Sequence, residues 1–142
     1  MKIFLDTNVI LDVLNESREH HVDSATILNL GREGYEEIVV SSQSILDAYY
    51  VYTVSGKHPL EELKSFLKEL LPVVKVSSIS GDNLKEAILG SNNDLEDAAQ
   101  IACAGSYGCA CIISSDEKLK RDSPIKVYTP KEFCDQVFGP WH

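Results

Sequence analysis

The chain is predicted to fold as an α/β protein, a three-layer α/β/α sandwich around a mostly parallel five-stranded sheet. Short continuous apolar runs, such as Ile3-Phe4-Leu5 and Ile38-Val39-Val40, have the character of strands buried on both faces. Between them lie longer stretches whose apolar residues recur at helical spacing. Strands alternating with helices imply parallel pairing, because each return to the sheet then needs a crossover.

Residues 2–5 form the first strand. From Asn8 to Leu14, the residues Val9, Ile10, Val13 and Leu14 share a helical stripe that leaves Asp12 facing out. A second helix runs from His20 to Gly31, with Ala25, Ile27, Leu28 and Leu30 apolar and the glycine near its stop. Ile38 to Val40 is the second strand, and the next helix covers Ser42 to Val54 and closes at Gly56. Pro59 opens another helix, in which Leu60, Leu63, Phe66, Leu67, Leu70 and Leu71 trace one apolar stripe until Pro72 ends it. Val73 to Val76 is the third strand, and Asp82 to Leu89 is a short helix stopped by Gly90. Asn92-Asn93-Asp94 marks a loop and the start of a helix over Leu95 to Ser106, whose Ala98, Ala99, Ala102 and Ala104 permit a close neighbour. Cys111 to Ser114 is the fourth strand, followed by the polar turn Ser115-Asp116-Glu117 and a short helix. Ile125 to Tyr128 is the fifth strand. Thr129-Pro130-Lys131-Glu132 is a capping box, starting a last helix that reaches about Val137. No repeat, low-complexity segment or linker interrupts this order, so residues 1–142 read as one domain.

At 142 residues the chain can bury a full core, and 44% hydrophobic with 25% charged residues is the balance of a soluble globular protein. No stretch approaches the length needed to cross a bilayer, and the opening MKIFLDTNVILDV has a charge where a signal peptide is apolar. A cytoplasmic location is expected. Cys103, Cys109, Cys111 and Cys134 lack the paired C-x-x-C of a zinc ribbon and read as small core residues in a reducing compartment. Exposure of one member of the Cys109–Cys111 pair is left open. The formal net charge of −9 excludes nucleic-acid binding through bulk electrostatics. Two explanations of the acidity stand side by side: a site that metal ions neutralise, or a basic protein partner.

The acids are placed as a site would place them. Asp6 follows the first strand, at the carboxyl edge where open α/β sheets bind ligands. Asp47 lies on the helix after the second strand, one turn past Ser44, so the two share a face. Asp94 and Asp97 are three apart in a first helical turn, where the helix N-terminus favours negative charge. Asp116 follows the fourth strand. Helix caps prefer Asp, which accounts for any one of these positions alone; their coincidence at one edge points to an oxygen-ligand cage for Mg²⁺ or Mn²⁺. Such ions suit phosphodiester hydrolysis, which needs a strong nucleophile at neutral pH and neutralised charge on the leaving oxygen. No Ser-His or Cys-His nucleophile is evident.

Four segments together resemble the PIN-domain family of metal-dependent ribonucleases, which includes the VapC-type toxins of bacterial toxin–antitoxin pairs. They are FLDTNVILDVL, VVSSQSILDAYYV, NNDLEDAAQIACAGSYGCACIISSD and VYTPKEF, and they span essentially the whole chain. The resemblance implies that Asp6, Asp47, Asp97 and Asp116 are the catalytic metal-binding acids, with Asp94 an accessory acid. Asn8 would orient Asp6, and Ser114 stands where a Thr or Ser contacts the site. Asp47 stands where the family commonly has Glu. The resemblance further implies an RNA substrate, a homodimer, and a small antitoxin that inserts a basic segment into the acidic site, which suits the charge of this chain.

Other residues carry two readings. Lys118, Lys120, Arg121 and Lys126 near Asp116 form either a solvated turn or RNA phosphate contacts. Tyr49, Tyr50 and Tyr52 could stack on bases, although helical spacing places at least one in the core. His20-His21 point to different faces and read as surface or half-buried residues rather than ligands. The tail Gly139-Pro140-Trp141-His142 suits either an apolar patch or a dimer surface. Two other functions compete with the nuclease. One is an inactive PIN-like module whose groove holds a basic segment. The other is a receiver-like signalling domain, which would want an acidic pair after the first strand where this chain has Thr7-Asn8.

Overall fold

Five strands pair in the order β3-β2-β1-β4-β5, every pair parallel, in a computed structural model that describes residues 1–141. The strands are β1 (Lys2–Leu5), β2 (Glu37–Ser41), β3 (Val74–Ser77), β4 (Cys111–Ile113) and β5 (Val127–Tyr128). The chain runs outward from β1 through β2 to β3, then returns to place β4 on the other side of β1. The strand order therefore reverses between β1 and β4, and such a reversal opens a crevice at the carboxyl ends of the two strands.

Alternation along each strand feeds two separate cores. Ile3, Leu5, Ile38, Val40, Cys111 and Ile113 point to one face of the sheet. There they meet α1 (Thr7–Leu14), α2 (His21–Arg32), α3 (Ser42–Tyr49) and α8 (Pro130–Phe138) through Val9, Ile10, Ile27, Ala48 and Phe133. Phe4, Val39 and Ile112, in register across three strands, point to the other face. They pack under α6 (Leu95–Ser106) and α7 (Glu117–Asp122), with α5 (Gly81–Leu89) lying against α6. The remaining helix is α4 (Leu60–Leu70). Both faces are covered, so the continuous apolar runs are explained by the layers. Among the described residues no helix is long and apolar enough to cross a membrane.

The capping box at Thr129 forms with both of its bonds, Glu132 N–H to Thr129 Oγ1 and Thr129 N–H to the Glu132 carboxylate. Elsewhere the structure corrects the sequence reading. Asp12 does not face out: it is 2% exposed and accepts hydrogen bonds from Arg18 Nε at 2.8 Å and Ser24 Oγ at 2.9 Å. His21 lies beside it, with Nδ1 2.7 Å from the Asp12 carbonyl. Gly31 lies near the end of α2, as expected, with Arg32 the last helical residue. A Cβ at Gly31 would fall 2.4 Å from the Ile38 side chain, so the glycine lets α2 lie close against β2. Cys109 and Cys111 are both buried, and burial pushes both thiols up to about 11. The strand expected over Ile125–Tyr128 is ordered as a strand only at Val127–Tyr128.

The helix expected over Ser42–Val54 changes character midway. Tyr49 ends the α-helix, and Tyr50–Ser55 winds on as a π-helix. Gly56 N–H donates to the Val51 carbonyl at 2.9 Å, and His58 N–H to that of Tyr52 at 3.1 Å. Tyr52 holds the wide turn: its ring stacks on His58 with centroids 4.3 Å apart, and its hydroxyl donates to Glu62 at 2.8 Å. Trp141 is exposed, and His142 of the tail lies outside the described residues.

The Asp12 arrangement ties the α1–α2 connection to α1. Arg18→Ala leaves a buried carboxylate without its cation and is expected to cost about 2 kcal/mol, since Arg18 is itself partly exposed. Urea unfolding of the variant beside the parent measures it, and an unchanged midpoint would show that Asp12 does not depend on the pair.

Candidate active site

Asp6 is the first residue past β1, and its backbone N–H still donates to Ile113 of β4 at 3.0 Å. The side chain is held on both oxygens. Oδ1 accepts from Thr7 N–H at 2.8 Å, and Oδ2 accepts from Ser114 Oγ at 2.7 Å and Asn8 Nδ2 at 3.2 Å. Asn8 Oδ1 in turn accepts from Ser115 N–H at 3.2 Å, and Ser114 Oγ from Asp116 N–H at 3.0 Å. Asn8 and Ser114 thus stitch the ends of β1 and β4 together around one carboxylate. Burial raises the Asp6 carboxyl above its usual range and the charge of Asp116 adds to this, while the bonds from Ser114, Thr7 and Asn8 oppose it.

Asp116 caps α7, accepting from Lys118 N–H at 2.9 Å and Leu119 N–H at 3.4 Å. Asp94 caps α6 through Asp97 N–H at 3.0 Å, and its other oxygen accepts from Lys118 Nζ at 3.0 Å. These two partners hold Asp94 below the usual carboxylate range, the Asp97 N–H foremost. Asp97, one turn into α6, accepts no such bond. Burial, then the charges of Asp94, Asp116 and Asp6, push its carboxyl up to about 6. Across the opening, Asp47 on α3 accepts from Gln43 Nε2 at 2.8 Å. Asp6, Asn8, Asp47, Asp94, Asp97 and Asp116 all line one cleft of about 430 Å³ at the carboxyl end of the sheet.

Three predicted residues lie elsewhere. Ser44 is buried beneath the cleft, where its hydroxyl accepts from Gln100 Nε2 at 2.8 Å and from Ser41 Oγ at 3.1 Å, and so links α3 to α6. It does not share a face with Asp47, because the inward side of α3 is packed on the core. Lys120 is bound to Glu132 at 2.7 Å and Arg121 to Asp122 at 3.2 Å, both away from the opening. Of the basic stretch, Lys118 alone reaches the cleft edge, and there it is engaged with Asp94.

One acid was missed. Glu96 lines the cleft too, and a hydrogen bond shared with Asp47, followed by desolvation and the charges of Asp47, Asp94 and Asp97, raises its carboxyl to about 7. Helical spacing from Asp97 turns residue 96 to a different side of α6, so periodicity hid it. Glu96 and Asp47 come from helices on opposite faces of the sheet and meet only at its carboxyl end. Tyr50, Val51, Thr7 and Leu11 complete the lining.

Six carboxyl groups therefore surround one opening, and no Lys, Arg or His lines it. Among the described residues no three His, Cys, Asp or Glu side chains converge on one point as metal ligands. The carboxylates ring the cleft. Three of them are held above their ordinary range, Asp6 and Asp97 first by burial and Glu96 first by its hydrogen bond with Asp47. Hard carboxylate oxygens are the donors that Mg²⁺ and Mn²⁺ accept, so this donor set fits such an ion.

The raised groups fix a sign. With Asp97 near 6 when folded and near 3.8 otherwise, the folded chain holds the extra proton between those values. Its contribution to stability is greatest below about 3.8, falls as pH rises through that window, and is a net cost above about 6. In chelator, the Tm of the parent is expected to fall between pH 4 and pH 6 more steeply than that of Asp97→Asn. Mn²⁺ at pH 7 should then raise the Tm of the parent more than that of the variant. Equal slopes and equal metal shifts would remove Asp97 from the cation-binding set.

Comparisons with known proteins agree with this geometry. The family model for the PIN domain matches residues 3–122. Ribonuclease VapC1 of Aquifex aeolicus (strain VF5) is 30% identical over 138 residues, covering 95% of this chain and 94% of the relative. Among solved structures, Mycobacterium tuberculosis VapC20, described as a Sarcin-Ricin loop cleaving toxin, superposes with a TM-score of 0.66 at 16% identity, over 84% of this chain and 93% of its own. VapBC2 from Rickettsia felis, bound to a DNA fragment from its promoter, gives 0.58 at 18% identity over 91% and 98%. The structures speak for the fold. The family model runs from β1 through α7 and so takes in Asp6, Asp47, Asp97 and Asp116, and the chain belongs to the PIN-domain family.

Proposed function

We propose that this protein is a Mg²⁺- or Mn²⁺-dependent endoribonuclease, the toxin of a toxin–antitoxin pair. The observation that carries the reading is the ring of six carboxyls at the β1–β4 switch point with no cation among its lining residues. Membership of the PIN-domain family and likeness to a protein named a ribonuclease supply the substrate class. Asp6, Asp47, Asp97 and Asp116 hold the ion, with Asp94 auxiliary. A bound divalent ion lowers the pKa of water and neutralises charge on a departing oxygen. The chain's own part is positional. Ser114 and Asn8 fix the Asp6 carboxylate, Gln43 holds Asp47, and the Gln100–Ser44 bond joins α6 to α3.

The same unbalanced charge suits a small antitoxin that inserts an Arg or Lys, and likeness to a VapBC complex supports such a partner. A homodimer is part of the same proposal.

Cleavage of a mixed RNA pool with Mn²⁺ or Mg²⁺ tests the reading. The parent is expected to cleave and to stop in EDTA. Asp6→Asn and Asp97→Asn should each lose about 100-fold or more, and Ser114→Ala about tenfold, the scale seen when groups supporting a metal ligand are removed. Equal residual cleavage by parent and variants would assign the activity to a contaminant and favour an inactive module that holds a basic segment.

A further inference from the structure

The proposed metal chemistry leaves one part of the cleft wall unused. Tyr50 is 58% exposed and lines the opening beside Val51 and Leu11, opposite the start of α6. It follows Asp47 by three residues, so its ring and that carboxylate share the cleft side of the helix. Its aromatic neighbours are not available in the same way: Tyr52 is stacked on His58 and bonded to Glu62, and Tyr49 does not line the cleft. Tyr50 is also the first residue of the π-helical turn, a departure from α geometry that recurs at functional sites.

An RNA chain approaching this cleft meets a difficulty. The protein carries a net charge of −9, no basic side chain lines the cleft, and Lys118, Lys120 and Arg121 are each paired with an acid. Phosphate contacts therefore supply little of the affinity, and whatever a metal ion contributes is confined to the cleaved phosphate. Stacking of a base on an aromatic ring needs no charge and accepts any base, since each presents a π face. It does require that the base be unpaired.

We propose that Tyr50 is a stacking platform for an unpaired nucleobase next to the cleaved phosphodiester. This deepens the ribonuclease reading and rests on it for the identity of the ligand.

The test is fluorescence anisotropy with a labelled single-stranded twelve-nucleotide adenosine RNA. Ca²⁺ is the ion, a hard cation with the same taste for oxygen ligands. Tyr50→Ala is expected to weaken binding about tenfold, equivalent to about 1.4 kcal/mol, while Tyr50→Phe stays within about twofold of the parent. A ribose-phosphate strand of the same length without bases should bind the parent and Tyr50→Ala equally. Equal binding of the adenosine strand by all three proteins overturns the proposal, as does an equal loss on the strand without bases. A loss accompanied by a changed sedimentation coefficient overturns it too, because Tyr50 would then be covered by a second copy or support one. Tyr50-dependent binding without Mn²⁺ cleavage would keep the platform and sink the nuclease. Cleavage lost in Asp97→Asn but with binding indifferent to Tyr50 would do the reverse.

Discussion

The hydrogen bond from Ser114 Oγ to Asp6 Oδ2, at 2.7 Å, is the joint on which the site turns. It connects the end of β1 to the end of β4, the two strands between which the sheet reverses its order. Asn8 and the N–H of Asp116 complete a small closed network around it, so the loop after β4 takes its direction from the loop after β1. Asp6 can be this heavily solvated by protein groups and still lie above its ordinary range, because burial outweighs three hydrogen bonds. The carboxylate is held in place more firmly than it is held ionised.

Each of the other acids is set by a different local device. Asp94 and Asp116 are helix caps, whose positions follow from satisfying the first N–H groups of α6 and α7. Asp97 lies one turn inside a cap, and Asp47 and Glu96 meet where α3 and α6, from opposite faces of the sheet, reach its carboxyl end. The buried Gln100–Ser44–Ser41 chain joins the two helices beneath them. The cleft thus combines carboxylates satisfied by backbone, Asp94 and Asp116, with carboxyls raised above their ordinary range, Asp97 first by burial and Glu96 first by its hydrogen bond with Asp47. The first pair gives the ring its shape.

Much of this was legible in the residues. Apolar runs separated by helical stripes gave all five strands and their parallel sense, and strand-end position singled out Asp6 and Asp116. What escaped the sequence shares one cause: it depends on contacts between elements. Asp12 looked exposed by helical phase, yet Arg18 and Ser24 close over it from the following turn and helix. Glu96 was passed over because phase on α6 favours Asp94 and Asp97, and its partner lies on α3. Ser44 and Asp47, three apart on α3, were assigned a common face; the packed side of that helix takes the first and leaves the second to the cleft. The π-turn after Tyr49 is fixed by the Tyr52–His58 stack, which no local pattern announces.

The pairing of the first strand with the fourth has a consequence for synthesis. Residues 2–5 are made before residues 111–113, so β1 acquires one of its two neighbours only after more than a hundred further residues have followed. Asp6 and Ser114 are 108 residues apart in sequence, so the contact that organises the carboxylates closes one of the longest loops in the chain. Closing such a loop is slow and comes after local structure has formed. A growing chain can make β1, β2 and β3 with their helices while still lacking Asp116 and the partners of Asp6. The ring of carboxylates therefore cannot close before Ser114 and Asp116 have been added, however complete the first three strands and their helices already are.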